Sequence, residues 1–141
     1  MNSEEMKKWL SRAYKIDEEI NLLKAEKSRI YSTAAVGGIG FTVRISPKNI
    51  DSTERRMKKY AEYTTLIDDK IAELMSIKAE IYKVISKVSD NAERKVLFCR
   101  YVLFMRWDKI AESLNYEERQ IYRIHDKAIK DVSECQYRIV I

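Results

Sequence analysis

Three residues near the C-terminus, Arg119, Gln120 and Arg123, have side chains that suit the reading of DNA bases. Arg and Gln can each make paired hydrogen bonds to base edges in a major groove. They fall on the outward face of a short amphipathic helix, whose outward residues are Glu117, Glu118, Arg119, Gln120, Tyr122 and Arg123. The chemistry predicted for this helix is therefore sequence-dependent binding of double-stranded DNA.

Two short helices joined by a sharp turn would position these side chains, and residues 107–124 have the necessary spacing. Ala111 is small enough for a second helix to cross close to the first. Asn115 falls at the turn, where the chain usually needs a residue in the left-handed conformation. Glycine is the most common residue in that conformation, and asparagine is the next best tolerated. Asn115 and Glu118 also have the spacing of a capping box. The inward apolar positions are Ile110, Leu114, Tyr116, Ile121 and Ile124. The alternative is an ordinary helical hairpin whose polar residues are only solvated.

The composition is that of a protein built from long helices. The chain has 141 residues, of which 45% are hydrophobic and 35% charged, with one proline and three glycines. Such a composition fits neither disorder nor membrane insertion. No apolar run reaches the ~20 residues that cross a bilayer, and residues 1–10 carry acids and a lysine pair where a signal peptide has an apolar core. We therefore expect a cytoplasmic protein without a membrane partner.

Residues that bind metals or catalyse reactions are sparse. Cys99 and Cys135 form no CxxC pair, and His125 is the only histidine, so a zinc site would lack ligands. Both cysteines are expected to be reduced apolar fillers, and His125 is expected to contact a phosphate or to lie in solvent. Because no partner can be placed beside His125, the sequence predicts no enzyme activity, no metal and no cofactor.

The charge is modest and unevenly distributed. The net charge is +5; residues 1–89 hold 17 Lys and Arg against 13 Asp and Glu, and residues 90–141 hold 10 against 9. Because phosphate contacts supply most non-specific affinity for DNA, the C-terminal part is expected to bind weakly by itself. A basic cluster that could reach flanking phosphates or an acidic partner consists of Lys48, Arg55, Arg56, Lys58 and Lys59.

Two apolar heptad seams predict a long antiparallel helical (coiled-coil) hairpin over residues 1–89. The first seam runs from Met6 to Ile30 and the second from Met57 to Val88. A linker near residues 32–50, which contains all three glycines and the only proline, separates them. Residues 90–141 follow as a small C-terminal helix-turn-helix bundle. The predicted architecture is therefore all-α with two domains.

The two seams can be aligned in a register that pairs lysines with aromatic rings. Pairing Ile30 with Met57 sets Lys27 opposite Tyr60 and also sets Lys78 opposite Trp9. Each lysine could then lay its stem along a ring. The same seams could instead pair between two chains, in which case the protein would be a homodimer.

Residues with capping side chains predict where the helices begin. The predicted caps are Ser3, Asp51 with Glu54, and Asp90 with Glu93. The helix that carries the candidate DNA-binding residues is expected to end near residue 132.

An alternating pattern inside the linker is typical of a short β-strand. Phe41, Val43 and Ile45 alternate with polar residues, and Tyr137 to Ile141 show the same alternation. A lone strand needs a partner, so these two segments could pair. A disordered loop is the alternative for the linker.

Residues from both halves of the chain carry a resemblance to a known family. The C-terminal ones are Arg100-Tyr101, Trp107, Ile110-Ala111-Glu112, Leu114-Asn115-Tyr116, Arg119-Gln120-Ile121-Tyr122-Arg123-Ile124-His125 and Lys127-Ala128. The N-terminal ones are Trp9-Leu10, Ala13-Tyr14, Ile16-Asp17 and Ile20. Together they resemble small regulators of the ArpU type from Gram-positive phages and prophages, whose C-terminal part is similar to region 4 of sigma-70 factors. The middle linker resembles them least.

This resemblance implies a sequence-specific DNA-binding transcriptional regulator of phage or prophage genes, acting at promoters together with host RNA polymerase. The DNA-binding residues that it implies are Glu118, Arg119, Gln120, Tyr122, Arg123 and Lys127. The chain departs from the family at Glu117, where Ser or Thr often opens the helix. It also departs at Phe104-Met105, where a polar or glycine-containing turn is usual.

Two other functions are consistent with the same patterns. A coiled-coil structural or adaptor protein would use its C-terminal bundle to bind another protein. A DNA-packaging subunit would also combine a helix-turn-helix with a helical hairpin, although its DNA-binding part usually comes first. Binding to duplex DNA that weakens with salt separates the first of these from the regulator.

Overall fold

All regular secondary structure is helical in the part of the chain that the computed structural model describes. The description covers the backbone of residues 1–39 and 47–139 and the side chains of residues 1–32 and 52–135. The helices within these ranges are α1 (Ser3–Leu10), α2 (Arg12–Ile39), α3 (Pro47–Ile85), α4 (Asn91–Tyr101), α5 (Trp107–Leu114) and α6 (Glu118–Ile139). The all-α prediction is confirmed. None of the helices in the described ranges is long and apolar enough to cross a lipid bilayer.

Helix α1 begins with a capping box and ends at a serine. The Glu5 N–H donates to the Asn2 side chain at 2.8 Å, and the Asn2 N–H donates to the Glu5 carboxylate at 3.3 Å. Ser3, the predicted cap, is therefore the first helical residue, because Asn2 already fills the capping position. Ser11 closes α1, and its hydroxyl donates to the Lys7 carbonyl at 2.7 Å. Two consecutive helices thus carry the first apolar seam, where one was expected.

The two long helices extend into the predicted linker of residues 32–50. Helix α2 continues to Ile39, and α3 starts at Pro47. Proline suits the first helical position, because the N–H that it lacks would be unpaired there. The predicted cap Asp51 consequently lies inside α3, so that prediction is wrong. The predicted strand residues Phe41 to Ile45 lie outside the described residues.

Helix α4 begins where predicted, whereas α6 ends later than predicted. Asp90 caps α4 by accepting a hydrogen bond from the Glu93 N–H at 3.1 Å, which confirms this cap. Helix α6 continues to Ile139, beyond the expected end near residue 132. Tyr137 to Ile139 are therefore helical and cannot form a strand, because their backbone groups follow the helix. The strand predicted for these residues is wrong.

Contacts within the chain divide it into two compact units. Unit 1 combines Met1–Lys15 with Leu74–Ile141, and unit 2 is Ile16–Glu73. This division differs from the boundary predicted between residues 89 and 90. The reason is that α1 packs against α6, so the N-terminal residues share a core with the C-terminal helices.

Unit 1 holds most of the buried apolar residues. Helices α1, α4 and α5 all pack against α6. The large side chains that are fully buried in this unit are Met6, Leu10, Ile81, Ile85, Val88, Val96, Leu97, Ile110, Ile121, Ile129 and Val132. They come from α1, the end of α3 and the residues that follow it. Removal of this apolar surface from water is the main term that stabilises the unit.

Unit 2 has a small buried core among its described side chains. Its buried apolar residues are Ile16, Ile20 and Ile67. Lys70 on α3 pairs with Glu19 on α2 at 3.0 Å and with Glu73 at 3.4 Å. The second seam is not buried along its whole length, because Met57 is 65% exposed.

One of the two predicted lysine-to-ring contacts is present. The Lys27 ammonium lies 4.8 Å from the centre of the Tyr60 ring, as predicted. Lys78 lies 4.6 Å from the Phe104 ring instead of against Trp9, so the second predicted contact is wrong. The loop before α5 supplies the ring for Lys78, and Arg12 covers Trp9 at 4.4 Å.

Candidate nucleic-acid interface

A left-handed residue ends α5 and turns the chain toward α6. Asn115 has φ 59° and ψ 41°, as predicted for this position. Its N–H donates to the Glu112 carbonyl at 3.4 Å, and the Tyr116 N–H donates to the Ala111 carbonyl at 3.0 Å. This pair of bonds is a Schellman motif, which satisfies carbonyls at the end of α5. The short turn needed to place α6 beside α5 is therefore set by local backbone chemistry.

The Gln120 side chain caps the start of α6. The Glu117 N–H donates to Gln120 Oε1 at 3.2 Å. Asn115 is the C-cap of α5, so the capping box predicted between Asn115 and Glu118 is replaced by the Glu117–Gln120 pair. Gln120, a candidate DNA-binding residue, thus uses its carbonyl oxygen within the protein. Its amide nitrogen takes no part in this bond.

A compact apolar cluster holds α5 and α6 against α4. Its buried members are Val96, Ile110, Ala111 and Ile121, and around them pack Cys99, Met105, Trp107, Leu114 and Ile124. Tyr116, predicted to face inward, is 39% exposed, because it lies in the turn directly after the left-handed residue. The other predicted inward positions are buried or half-buried. The cluster therefore fixes which face of α6 meets solvent.

We expect replacement of Ala111 by leucine to lower the free energy of unfolding by ~1–3 kcal/mol, because overpacking in a filled core forces side chains off their rotamers. Ala111 is 6% exposed, so three further carbons have no room. Urea unfolding followed by tryptophan fluorescence measures the change. Ser113→Leu is the matched control, because Ser113 lies on the exposed side of the same helix. Equal stability of the Ala111→Leu protein and wild type would show that α5 and α6 do not meet at this residue.

His125 is buried, contrary to the predicted phosphate contact or solvated position. Its side chain is 5% exposed, and Nε2 lies 2.7 Å from the Tyr101 hydroxyl. The Trp107 ring packs edge-on against it at 4.7 Å. Burial lowers the pKa of His125 to about 4, so the ring is neutral at pH 7. The spacing of His125 from the buried Ile121 and Ala128 places it on the inward stripe of α6, and that signal could have revealed its role.

The loop before α5 is held by a stacked arginine and a left-handed phenylalanine. The Arg100 guanidinium lies 4.5 Å from the Trp107 ring and donates to the Met105 carbonyl at 3.0 Å. Phe104 has φ 58°, and its ring packs edge-on against Tyr14 at 5.7 Å. A left-handed phenylalanine is unfavourable by itself. The packing of its ring offsets that cost.

Tyr122 and Glu118, two candidate DNA-binding residues, bond to each other. The Tyr122 hydroxyl donates to Glu118 Oε1 at 3.0 Å, and this bond raises the pKa of Tyr122. The Tyr122 ring also lies 5.2 Å from Trp107. These contacts hold Tyr122 at the edge of the α5–α6 junction. The bond therefore occupies one of the two Glu118 carboxylate oxygens.

Lys127, a further candidate, lies beside a buried carboxyl. Its ammonium is 3.6 Å from Oε1 of Glu93, which is 2% exposed. Burial, followed by the neighbouring Asp131 and Asp90 carboxyls, raises the pKa of Glu93 to about 7, while Lys127 acts in the opposite direction. Lys127 itself is 69% exposed, so its ammonium remains accessible to a partner.

We expect the stability of the Glu93→Gln variant relative to wild type to increase with pH between about 4.5 and 7. The raised pKa means that the folded state holds a proton at Glu93 over this range, whereas the unfolded state loses it. Ionisation of Glu93 thus lowers wild-type stability as pH rises, by at most about 3 kcal/mol. His125 acts oppositely: its pKa of about 4 makes stability rise between pH 4 and 6.5. In wild type the two effects therefore oppose each other between about pH 4.5 and 6.5, whereas in Glu93→Gln only the effect of His125 remains.

Urea unfolding of both proteins at pH 4.5 and pH 8 measures this difference. Glu112→Gln is the control for loss of one carboxyl, because Glu112 is an exposed residue of α5. A stability difference between Glu93→Gln and wild type that is the same at both pH values would contradict the buried, protonated Glu93.

Arg119 and Arg123 are exposed and project into solvent from α6. Within the described residues, neither guanidinium makes a hydrogen bond or an ion pair. They are one helical turn apart, so they lie on the same face. Glu117, just before α6, and Asp126 on α6 are also exposed, and they keep the local charge close to neutral. Of the six candidate residues, these two have the donors that are most available for a ligand.

Among the residues that the structure describes, no group of His, Cys, Asp and Glu side chains could hold a metal ion. Comparison of the chain with protein-family models, curated proteins and solved structures found no match.

Proposed function

We propose that the protein is a sequence-specific DNA-binding transcriptional regulator of phage or prophage genes, and that α5 and α6 form its helix-turn-helix. The observation that carries this proposal is the pair of exposed guanidinium groups of Arg119 and Arg123 on α6, which have no partner among the described residues and lie opposite a fully buried Ile121. A helix placed in this way can enter a major groove with Arg side chains directed at base edges.

Helix α5 would cross the DNA backbone next to α6. Arg106, immediately before α5, is 83% exposed, and Lys109 is exposed on its first turns. Both side chains can reach phosphates, although Asp108 and Glu112 pair with them in the free protein. These phosphate contacts would fix the position of α6, whereas Arg119, Arg123 and the amide of Gln120 would read bases. Glu118 and Tyr122 would support the edge of the surface, and Lys127 would add a phosphate contact.

Helices α2 and α3 would form a long antiparallel coiled-coil hairpin. The contacts that support it pair Glu19 with Lys70 and Lys27 with Tyr60, so a later residue of α2 meets an earlier residue of α3. The resemblance to ArpU-type regulators supports action at promoters with host RNA polymerase, in the cytoplasm. In this proposal the protein acts without enzyme activity, metal or cofactor.

Titration of a fluorescent duplex that covers the DNA upstream of its own operon tests this function. We expect the intact protein to bind and its affinity to fall linearly with the logarithm of salt concentration, because bound phosphates release counterions. A scrambled duplex of equal length should bind at least about tenfold more weakly, as expected when base pairs are read individually. Absence of binding to either duplex at low salt would contradict the proposal and favour the adaptor function.

A further inference from the structure

One flank of unit 2 exposes two neighbouring leucines. Leu22 on α2 is 72% exposed and Leu66 on α3 is 49% exposed, and both line the same shallow groove. Single exposed leucines are common on protein surfaces. These two adjoin each other in a unit whose described side chains include only three buried apolar residues, Ile16, Ile20 and Ile67. The flank therefore offers apolar surface that the chain does not cover within this unit.

The charges on either side of these leucines have opposite signs. The groove that holds the leucines is also lined by Glu19, Asp69 and Glu73, with Lys70 as its only cation. A second groove nearer the α2–α3 linker is lined by Arg56 and Lys59 together with the Glu26–Arg29 ion pair. The first groove thus carries three carboxylates against one ammonium, and the second carries three cations against one carboxylate.

The two grooves lie on the same flank. On α2, Glu19, Leu22 and Glu26 are spaced three and four residues apart, which keeps them on one face. On α3, Leu66 and Lys59 are seven residues apart, which is close to two helical turns. The flank therefore runs from an acidic end through the two leucines to a basic end.

We infer that a second copy of the chain docks on this flank, with the two copies of unit 2 side by side and running in opposite directions. A two-fold axis near the leucines sets the acidic end of each copy against the basic end of the other. Leu22 and Leu66 of the two copies then cover one another. A parallel arrangement would set like charges together, which is unfavourable. This inference goes beyond the proposed function and does not depend on it.

The contact is small, so the dimer is expected to be weak. From Glu19 to Ile30 the flank extends about 17 Å along α2 at 1.5 Å per residue. An interface of this length is at the low end of the range for specific protein complexes, and its ion pairs are screened by salt. We expect a monomer–dimer equilibrium in the micromolar range that shifts toward monomer as salt increases. In this dimer the acidic partner that the sequence allowed for Arg56 and Lys59 is the acidic end of the second copy.

Charge-reversal variants of the full chain test this inference. Their oligomeric state is measured by sedimentation equilibrium without DNA. Arg56→Glu/Lys59→Glu makes both ends of the flank acidic, and Asp69→Lys/Glu73→Lys makes both ends basic. Each variant alone should remain monomeric at concentrations where wild type dimerises. An equimolar mixture of the two should restore dimers, because each end again meets its opposite.

Lys24→Glu/Lys58→Glu is the matched control, because both lysines are exposed in unit 2 and neither lines the two grooves of the flank. It should dimerise like wild type, and circular dichroism should show equal helix content in all variants. A monomeric wild type throughout the micromolar range would overturn the inference, as would dimers that both charge variants leave intact. Dimers restored only in the mixture show that this flank joins the two copies through opposite charges. Wild-type dimers that weaken as salt increases indicate the antiparallel pair, because screening would strengthen a parallel pair in which like charges meet. If the protein forms dimers but does not bind DNA, the proposed function is contradicted and the inference of a dimer stands.

Discussion

Replacement of Leu10 by alanine is expected to lower the free energy of unfolding of unit 1 by about 2–5 kcal/mol. Leu10 is fully buried at the end of α1, and α1 packs against α6. Truncating it removes buried methyl groups and leaves a cavity between the N-terminal and C-terminal parts of the chain. Because small domains are stable by only about 5–15 kcal/mol, this loss is a large share of the total. A fragment of residues 90–141 should be unstable for the same reason.

Urea unfolding followed by tryptophan fluorescence measures this loss, since Trp9 and Trp107 both belong to unit 1. Leu103→Ala removes the same atoms from a leucine that is 53% exposed, and it should change stability by no more than about 0.5 kcal/mol. If Leu10→Ala and Leu103→Ala unfold at the same urea concentration, α1 is not part of the C-terminal core.

Features that depend on neighbouring residues could be predicted from the sequence. The left-handed turn at Asn115 follows from the low cost of this conformation for asparagine, and the cap at Asp90 follows from its side-chain oxygen. The periodicity of apolar residues also predicted an all-α fold. The inward positions Ile110 and Ile121 were predicted from the same periodicity, because a short amphipathic helix has one buried stripe.

Features that depend on distant parts of the chain could not be predicted in this way. The burial of His125 and Glu93 is decided by the helices that pack over them, and a titratable residue is usually read as exposed. Phe104 is tolerated in a left-handed conformation because Tyr14 and Lys78 pack on its ring. The contact of α1 with α6 likewise joins opposite ends of the sequence. Only a three-dimensional arrangement shows that the N-terminal residues support the candidate interface.

Replacement of Arg119 and Arg123 together by alanine is expected to weaken binding to the upstream duplex by at least about tenfold. Each arginine that reads a base contributes ~1–3 kcal/mol, and its loss relaxes preference at one base pair. Both side chains are exposed and have no partner within the described residues, so their removal should leave the fold unchanged. Equal helix content and equal urea midpoints of variant and wild type would establish that the fold is intact.

The most direct measurement is the affinity for the upstream and scrambled duplexes, determined by fluorescence anisotropy at one salt concentration. Three proteins are compared: wild type, Arg119→Ala/Arg123→Ala and Lys83→Ala/Lys87→Ala. The lysine variant loses the same charge from exposed residues outside α5 and α6. We expect it to bind nearly like wild type, whereas the arginine variant loses affinity and no longer distinguishes the two duplexes. If the arginine variant binds the upstream duplex as tightly and as selectively as wild type, α6 does not read DNA through this face.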